Sequence, residues 1–347
     1  MTWPNKEKIS NYLKRLFAPN FAFLNNVQMR NNGTSINLFE RFWYKKGYTY
    51  SANDARTFME NMYQGIMPFT HMHPRQPAGF SVSIDPANQT IERMIAQGLN
   101  RRSAGFSRLE DSVCEFVRFA AMDLFSNGLA LYQIVDKRDD QGNLQSFELE
   151  SLRSENVIKI FGSYYQFNSP SQAAIYGREE KAQIIKVQKN RIIKMKFPKE
   201  LGGRRKLYKM LKRLTELSTE VIPEFQMTAF KDNKNTGFDF EKYRESKNLE
   251  AAYITRRFGW NHGELLEKRA LEHYFFHRYL RSKMAQVVVR DYIIDSLNEA
   301  LNGRVLNLNT RIILNGVPNR ETIREEINKL RNCGVNLGEI FNRTKLS

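Results

Sequence analysis

The chain has 347 residues, 41% of them hydrophobic and 12% aromatic, so it is long and apolar enough to fold around a substantial core. No run of about 20 apolar residues occurs, so we expect no membrane-spanning helix. The two cysteines, Cys114 and Cys333, belong to no CxxC or Cys/His pattern, so neither a disulfide framework nor a structural zinc site is indicated. The first residues are polar and basic without an apolar signal core, so we expect synthesis in the cytoplasm.

Positive charge is unevenly distributed along the chain. Lysine and arginine outnumber aspartate and glutamate by 54 to 37, a net charge of +17. Thirteen of the basic residues lie between Lys181 and Arg213, where the only acid is Glu200. Such a concentration requires an anionic neighbour or good solvation. Nucleic acid, an acidic protein partner and a solvated basic face all satisfy that requirement.

The first hundred residues contain three helical patterns. The spacing of apolar residues predicts short helices over 7–17 and 53–63, and prolines predict an extended connector over 68–86. Asp85 followed by a proline then predicts an N-cap for a helix over about 87–99.

A buried helix over 107–127 is the clearest prediction. Ser107 and Glu110 have the spacing of a capping box, and Asn127 with Gly128 predicts a left-handed stop. Apolar residues repeat at intervals of three and four between them: Leu109, Val113, Phe116, Val117, Ala120, Leu124 and Phe125.

Strand patterns follow this helix. An apolar run over 129–135 leads into a charged hairpin loop over 136–143, and 147–152 and 156–160 are predicted to continue the sheet. Further on, 183–187 and 191–197 flank Lys189-Asn190 and predict a half-buried hairpin. Its exposed face would carry Lys194 and Lys196, opposite Ile193, Met195 and Phe197.

Helical patterns dominate the rest of the chain. A helix over about 205–221 is predicted to bury Leu207, Met210, Leu211, Leu214 and Leu217, and 226–246 to form a long loop or small hairpin. No glycine or proline occurs over 264–302, which predicts one long helix or two end to end. The tail predicts a helix carrying Ile323, Ile327 and Leu330, a stop at Gly334, and a short last helix from Asn336.

Motifs for catalysis are missing. The chain has no G-x-x-x-x-G-K-S/T loop, no G-x-G-x-x-G after a strand, no H-E-x-x-H and no G-x-S-x-G. We therefore predict no catalytic residue, no cofactor and no metal site. His71 and His73 are favoured as two polar residues of the proline-rich connector, since no third metal ligand with sensible spacing lies nearby. His273 and His277 would share a helix face among aromatic residues, so packing is favoured there over a metal site or a proton switch.

Two sets of carboxylates leave a nuclease as an alternative. A metal-dependent nuclease needs clustered carboxylates with a nearby lysine. Glu224, Asp232 and Lys234 fit that requirement, and so do Asp239, Glu241 and Lys242, although any lysine-rich chain offers such sets.

Compact positive charge binds phosphate without reading sequence. The candidates for contact with nucleic acid or an acidic partner are Lys194, Lys196, Arg204, Arg205, Lys206, Lys209, Lys212, Arg213, Lys231 and Lys234.

Taken together, these segments resemble those of tailed-bacteriophage portal proteins, which form the ring at the capsid vertex through which DNA enters and leaves. The glycine-led run 128–135 with the hairpin loop 136–142 resembles a strand of that family, and 152–160 resembles its next strand. Residues 191–198 resemble its later aliphatic strand before a glycine and a helix, and 325–340 its closing helices.

The resemblance implies an α+β fold with a mixed, wing-like α/β core, long helices and a helical C-terminal part. It implies an N-terminal arm over 1–84, the wing core over 85–203, a stem-like helix and clip-like loop over 204–262, and a long helix with a crown-like region over 263–347. The function implied is structural, not enzymatic.

The resemblance also implies partners. About twelve copies would form a closed ring around double-stranded DNA. The ring would meet the terminase large subunit, the major capsid protein and a head–tail connector protein, with no membrane partner. It would be found in the virion after synthesis in the host cytoplasm. The alternatives are a basic nucleic-acid-binding protein and the nuclease.

Overall fold

The computed structural model describes residues 53–68, 79–99, 108–152, 157–160, 163–168, 183–219, 240–260, 272–332 and 343–344. Helices and small antiparallel sheets alternate along these ranges, which confirms the predicted α+β class. The described residues divide into two compact units, one within Ser151–Ile192 and the other within Tyr50–Glu150 together with Ile193–Ser347. The four-part division made from the sequence stays a prediction.

The helices are α1 Asn53–Gln64, α2 Gln89–Leu99, α3 Leu109–Asn127, α4 Gly203–Thr219, α5 Phe240–Ile254, α6 Glu272–Leu301 and α7 Arg320–Arg331. The strands are β1 Ser81–Asp85, β2 Leu129–Arg138, β3 Leu144–Leu152, β4 Val157–Ile160, β5 Ser163–Asn168, β6 Gln183–Val187, β7 Ile192–Lys196 and β8 Arg311–Asn315. Within the described ranges, no helix combines the length and hydrophobicity that crossing a membrane requires.

Helix α3 is the central element of the larger unit, and it packs against α1, α2, α4, α6 and β2. All seven apolar residues that predicted it are buried. The predicted capping box is wrong, because Arg108 occupies the N-cap position and makes no side-chain cap hydrogen bond. The helix therefore starts after that residue, with Glu110 and Asp111 in its first turn, where the helix dipole favours acids.

Gly128 ends α3 as predicted. Its φ of 64° lies in the left-handed region, and its N–H donates to Leu124 O at 2.9 Å. Its carbonyl accepts from Phe197 N at 3.1 Å, just after β7. Gly128 therefore ends α3, directly precedes β2 and accepts a hydrogen bond from the residue that follows β7.

Aromatic side chains from four separate segments meet beside α3. Phe58 of α1 makes edge-to-face contacts with Phe125, Phe258 and Trp260, with ring centroids 5.3 to 6.2 Å apart. Phe197 contacts Phe125 at 5.4 Å and Phe258 at 6.1 Å. All five rings are buried, so this aromatic cluster joins α1, α3, the end of β7 and the turn after α5.

The strands form three small sheets, with orders β3–β2–β7, β4–β5–β6 and β1–β8. The predicted hairpin between 183–187 and 191–197 is wrong, since β6 pairs with β5 and β7 lies beside β2. A 3-10 turn over Lys189–Arg191 separates the two strands, and β7 buries Ile193 and Met195 in the core of the larger unit. The prediction that 156–160 extends the first sheet is wrong too, because β4 pairs with β5.

Two further boundaries and one strand pairing differ from the predictions. Asn88, not Asp85, caps α2, because its Oδ1 accepts from Thr90 N at 3.0 Å and Ile91 N at 3.2 Å. The predicted loop over 226–246 is wrong for its last residues, which begin α5. The pairing of β1 with β8, from Ser81 opposite Asn315 to Asp85 opposite Arg311, was not predicted.

The C-terminal helices agree with the sequence. Helix α6 occupies Glu272–Leu301, inside the stretch without glycine or proline. Helix α7 is capped by Asn319, whose Oδ1 accepts from Thr322 N at 2.8 Å, and it buries Ile323 and Leu330. The predicted helix over 7–17, the stop at Gly334 and the last helix from Asn336 lie outside the described residues.

Replacing Gly128 by alanine should destabilise the fold more than replacing Gly142. Both glycines have positive φ, so alanine should cost about 1 kcal/mol at either position through backbone strain. A Cβ at Gly128 would also lie 2.5 Å from Arg204 Cγ, whereas nothing lies within 4 Å of one at Gly142. We expect Gly128→Ala to lower the free energy of unfolding by about 2 kcal/mol or more, measured by urea denaturation. Equal losses for the two variants would contradict this packing around Gly128.

Candidate nucleic-acid interface

From Ile192 to Arg213, the basic run forms β7, a 3-10 turn over Lys199–Leu201, and most of α4. Gly203 N donates to Pro198 O at 3.0 Å, which closes the turn between strand and helix. Along β7, Ile193 and Met195 are buried while Lys194 and Lys196 are exposed, as the alternation predicted. The edge of this strand is held by α6, since Lys196 N donates to the hydroxyl of Tyr292 at 3.1 Å.

Helix α4 is buried on one side and basic on the other. Its inner face consists of the five predicted residues, Leu207, Met210, Leu211, Leu214 and Leu217. All its candidate cations are exposed: Arg204, Arg205, Lys206, Lys209, Lys212 and Arg213. Arg205, Lys209 and Lys212 follow at i, i+4 and i+7, so they form a stripe about 10 Å long on one side of the helix.

Some of these cations are engaged by the protein itself. Arg204 Nε donates to Asn127 O at 3.0 Å, so this side chain satisfies a carbonyl at the C-terminus of α3. Lys212 pairs with Glu216 at 3.3 Å, and Arg213 pairs with Glu250 of α5 at 2.9 Å. These last two pairs are largely exposed, and such pairs contribute only about 0 to 1 kcal/mol each.

Five other cations of this surface stand in no described ion pair. Within the part of the chain that the structure describes, no ion pair involves Lys196, Lys199, Arg205, Lys206 or Lys209. The first turn of α4 also lacks an acid, so its three cations stand at the positive end of the helix dipole. That arrangement opposes helix stability, and it concentrates three cations at the start of α4.

The single acid of the run does not neutralise this surface. Glu200 accepts from Arg320 Nη1 with both carboxylate oxygens at 3.2 Å. Arg320 also pairs with Asp291 at 3.4 Å, and Asp291 accepts from the buried Arg290 at 2.9 Å. Burial lowers the pKa of Arg290, and the charge of Asp291 opposes that shift. Glu200 therefore anchors the turn before α4 to α6 and α7.

The remaining sequence candidates are not brought to this surface by any described contact. Lys231 and Lys234 lie outside the described residues, as do His71, His73, Glu224, Asp232 and Asp239, and the side chains of Glu241, Lys242 and His273 are not described.

His277 is half-buried on α6, near Phe276 and Tyr279, which pack against Leu280 and Leu330. Among the described residues, no three His, Cys, Asp or Glu side chains are grouped to hold a metal ion.

Comparisons with known proteins gave structural likenesses alone. No protein-family model matches the chain, and no curated protein matches it. The structural neighbours include the neck of an empty GTA particle, 12% identical with a TM-score of 0.40, covering 83% of this chain and 88% of that one. They also include an HK97-family phage portal protein from Corynebacterium diphtheriae, 10% identical with a TM-score of 0.31, covering 81% and 95% of the respective chains.

Removing the unpaired cations should weaken binding to duplex DNA. A variant with Lys196, Arg205, Lys206 and Lys209 replaced by alanine should bind less tightly at low salt. If these side chains meet phosphates, the slope of log K against log salt should fall by about 0.9 for each phosphate that is no longer neutralised. The matched control replaces four exposed cations elsewhere, Arg93, Lys137, Arg304 and Arg324, and removes the same charge. Equal weakening by both variants, measured by fluorescence anisotropy, would show that net charge alone is responsible.

The thiol of Cys114 should be inert in the folded protein. Desolvation raises its pKa to about 12, so almost no thiolate exists at pH 8. In a Cys333→Ser background, a chromogenic disulfide reagent should leave Cys114 unlabelled until urea unfolds the chain. Because the unfolded thiol ionises near pH 8.5, its burial stabilises the fold below that pH and loses this effect as the pH rises toward 12. Rapid labelling of the native protein would contradict this burial.

Proposed function

We propose that copies of this chain form a portal ring at a phage capsid vertex, which serves as the conduit for DNA packaging and ejection. The observation that carries the proposal is the meeting of the family-like segments at Gly128. Strand β2 begins directly after this glycine, and the chain leaving β7 contacts it because Phe197 N donates to Gly128 O. The first turn of α4 reaches the same place, since Arg204 donates to Asn127 O. The sequence resemblance includes 128–135 and 191–198, and these two segments meet here within the larger unit.

A ring explains how a chain of this kind could act without catalysis. A closed cyclic assembly can enclose a polymer that one subunit cannot. Contacts with phosphate charge fix position without reading bases, so DNA can move past them. Among the described residues, the cations of β7 and α4 that stand in no ion pair are few, and both elements pack into the core of the larger unit. This suits a surface that binds moving DNA or an acidic neighbour only weakly.

The proposed setting is the virion, after synthesis in the host cytoplasm. The ring would dock the terminase large subunit during packaging and a head–tail connector protein afterwards, and it would sit within the major capsid protein shell. In this role the chain acts structurally and not as an enzyme.

A basic nucleic-acid-binding protein that works as a monomer or dimer is the second candidate. The observation that favours it is the group of cations in the first turn of α4, because an exposed cluster can bind DNA without any assembly.

Mass measurement distinguishes these two candidates. Multi-angle light scattering of purified protein at physiological salt should give about twelve times the chain mass of 40.8 kDa. A single species at the mass of one or two chains that binds duplex DNA would contradict the ring and support the second candidate.

A further inference from the structure

An aromatic and basic patch is exposed where α5 meets α6. Leu249 and Tyr253 of α5 are 59% and 55% exposed, and Tyr274 of α6 is 47% exposed. Arg256 and Arg281 are exposed beside them. Large apolar side chains with this exposure are unusual on a free surface when they lie together, and aromatic residues with arginine are typical of the centres of protein interfaces. These five residues are called the aromatic–arginine patch.

The patch is held in shape before any partner arrives. Arg281 Nη1 donates to Arg256 O at 3.3 Å, and the buried Arg278 donates to Ala252 O at 3.2 Å, so two bonds join the end of α5 to α6. The Arg256 guanidinium lies 5.1 Å from the centre of the Tyr253 ring, and that of Arg278 lies 5.9 Å from the Tyr274 ring. Less side-chain entropy of Tyr253, Tyr274 and Arg256 therefore remains to be lost on binding.

A second patch, of opposite charge, lies toward the other end of α6. Asp295 and Glu299 are exposed one turn apart on the helix, and Ile313 of β8 is 37% exposed. Asn298 joins the two elements, since its amide accepts from Ile312 N at 2.8 Å and donates to Ile312 O at 3.2 Å. The Asp295 pair with Arg311 is long, 3.9 Å, and largely exposed, so it holds Asp295 only weakly. Asp295, Glu299 and Ile313 are called the acidic patch.

The two patches cannot meet within one chain. They lie on one continuous helix, and the 18 positions from Arg281 to Glu299 span about 27 Å at 1.5 Å per residue. The acid in the last turn of α6, Glu299, also opposes the helix dipole, so the charge is not arranged to stabilise its own helix. Each patch therefore finds a surface of opposite charge on another copy of the chain, where the other patch is exposed.

We propose that the aromatic–arginine patch of one copy docks on the acidic patch of the next. The two patches share no residue, so the contact is heterologous, and such contacts close into rings when the rotation permits. This inference rests on the proposed ring and names the surfaces that would build it. The arginines would pair with the carboxylates of the neighbouring copy, while Leu249, Tyr253 and Tyr274 would pack near its Ile313.

Charge reversal on each side tests the pairing. The first variant carries Arg256→Glu and Arg281→Glu, and the second carries Asp295→Lys and Glu299→Lys. Like charges then face each other in either variant alone, so we expect the concentration at half-assembly to rise at least about tenfold, measured by light scattering and sedimentation. In an equimolar mixture, every contact between unlike chains joins opposite charges again, so assembly should return with the two chains alternating.

Controls separate this pairing from folding and from net charge. Circular dichroism and thermal unfolding confirm that each variant folds. Arg93→Glu with Lys137→Glu makes the same charge change as the first variant at exposed positions elsewhere, and it should assemble like the wild-type chain.

The outcomes distinguish this inference from the proposed function. Wild-type rings that persist in both variants, or a mixture that assembles no better than either variant alone, would overturn the pairing and leave the ring intact. Wild-type protein that never assembles would overturn the ring and the pairing together.

Discussion

Five aromatic rings hold the larger unit together at one place. Phe58, Phe125, Phe197, Phe258 and Trp260 come from segments up to about 200 positions apart, and each is buried against at least one other ring. Edge-to-face contacts of this kind add about 0.5 to 1.5 kcal/mol each beyond the burial of area. Because Phe125 lies near the end of α3 and Phe197 directly follows β7, the cluster also fixes where the chain turns toward α4.

The charged surface depends on that apolar anchor. Helix α4 can carry cations in its first turn, against its own dipole, because its inner leucines and methionine are buried. Arg204 is used at the end of α3, and Glu200 is held by Arg320. Among the described residues, Lys196, Lys199, Arg205, Lys206 and Lys209 stand in no ion pair, and an anionic neighbour would stabilise them. Exposed charge is also distributed unevenly along α6, which carries Arg281 near one end and Asp295 and Glu299 near the other.

Local periodicity was enough to predict the elements that have one buried side. Helices α3 and α4 and strand β7 bury the residues that their spacing indicated, because burial on one face imposes that spacing directly. Strand partners could not be predicted, because the local pattern of a strand does not specify its partner. Strand β6 pairs with β5, the strand before it, whereas β7 lies beside β2, which is far away in sequence. Helix α5 was not predicted, because its outer face exposes Leu249 and Tyr253, which blurs the amphipathic pattern. The sequence identified the cations of α4, but not which of them the protein itself engages. Arg204 bonds to Asn127 and Arg213 pairs with Glu250, and both partners belong to other helices.

The claim on which the account depends is that copies of this chain close around an open channel. Electron microscopy of the purified protein, with particle images averaged by class, tests it most directly. The account predicts annular particles with rotational symmetry and a central hole wide enough to admit duplex DNA. Solitary compact particles, or open filaments at every salt concentration tried, would contradict it.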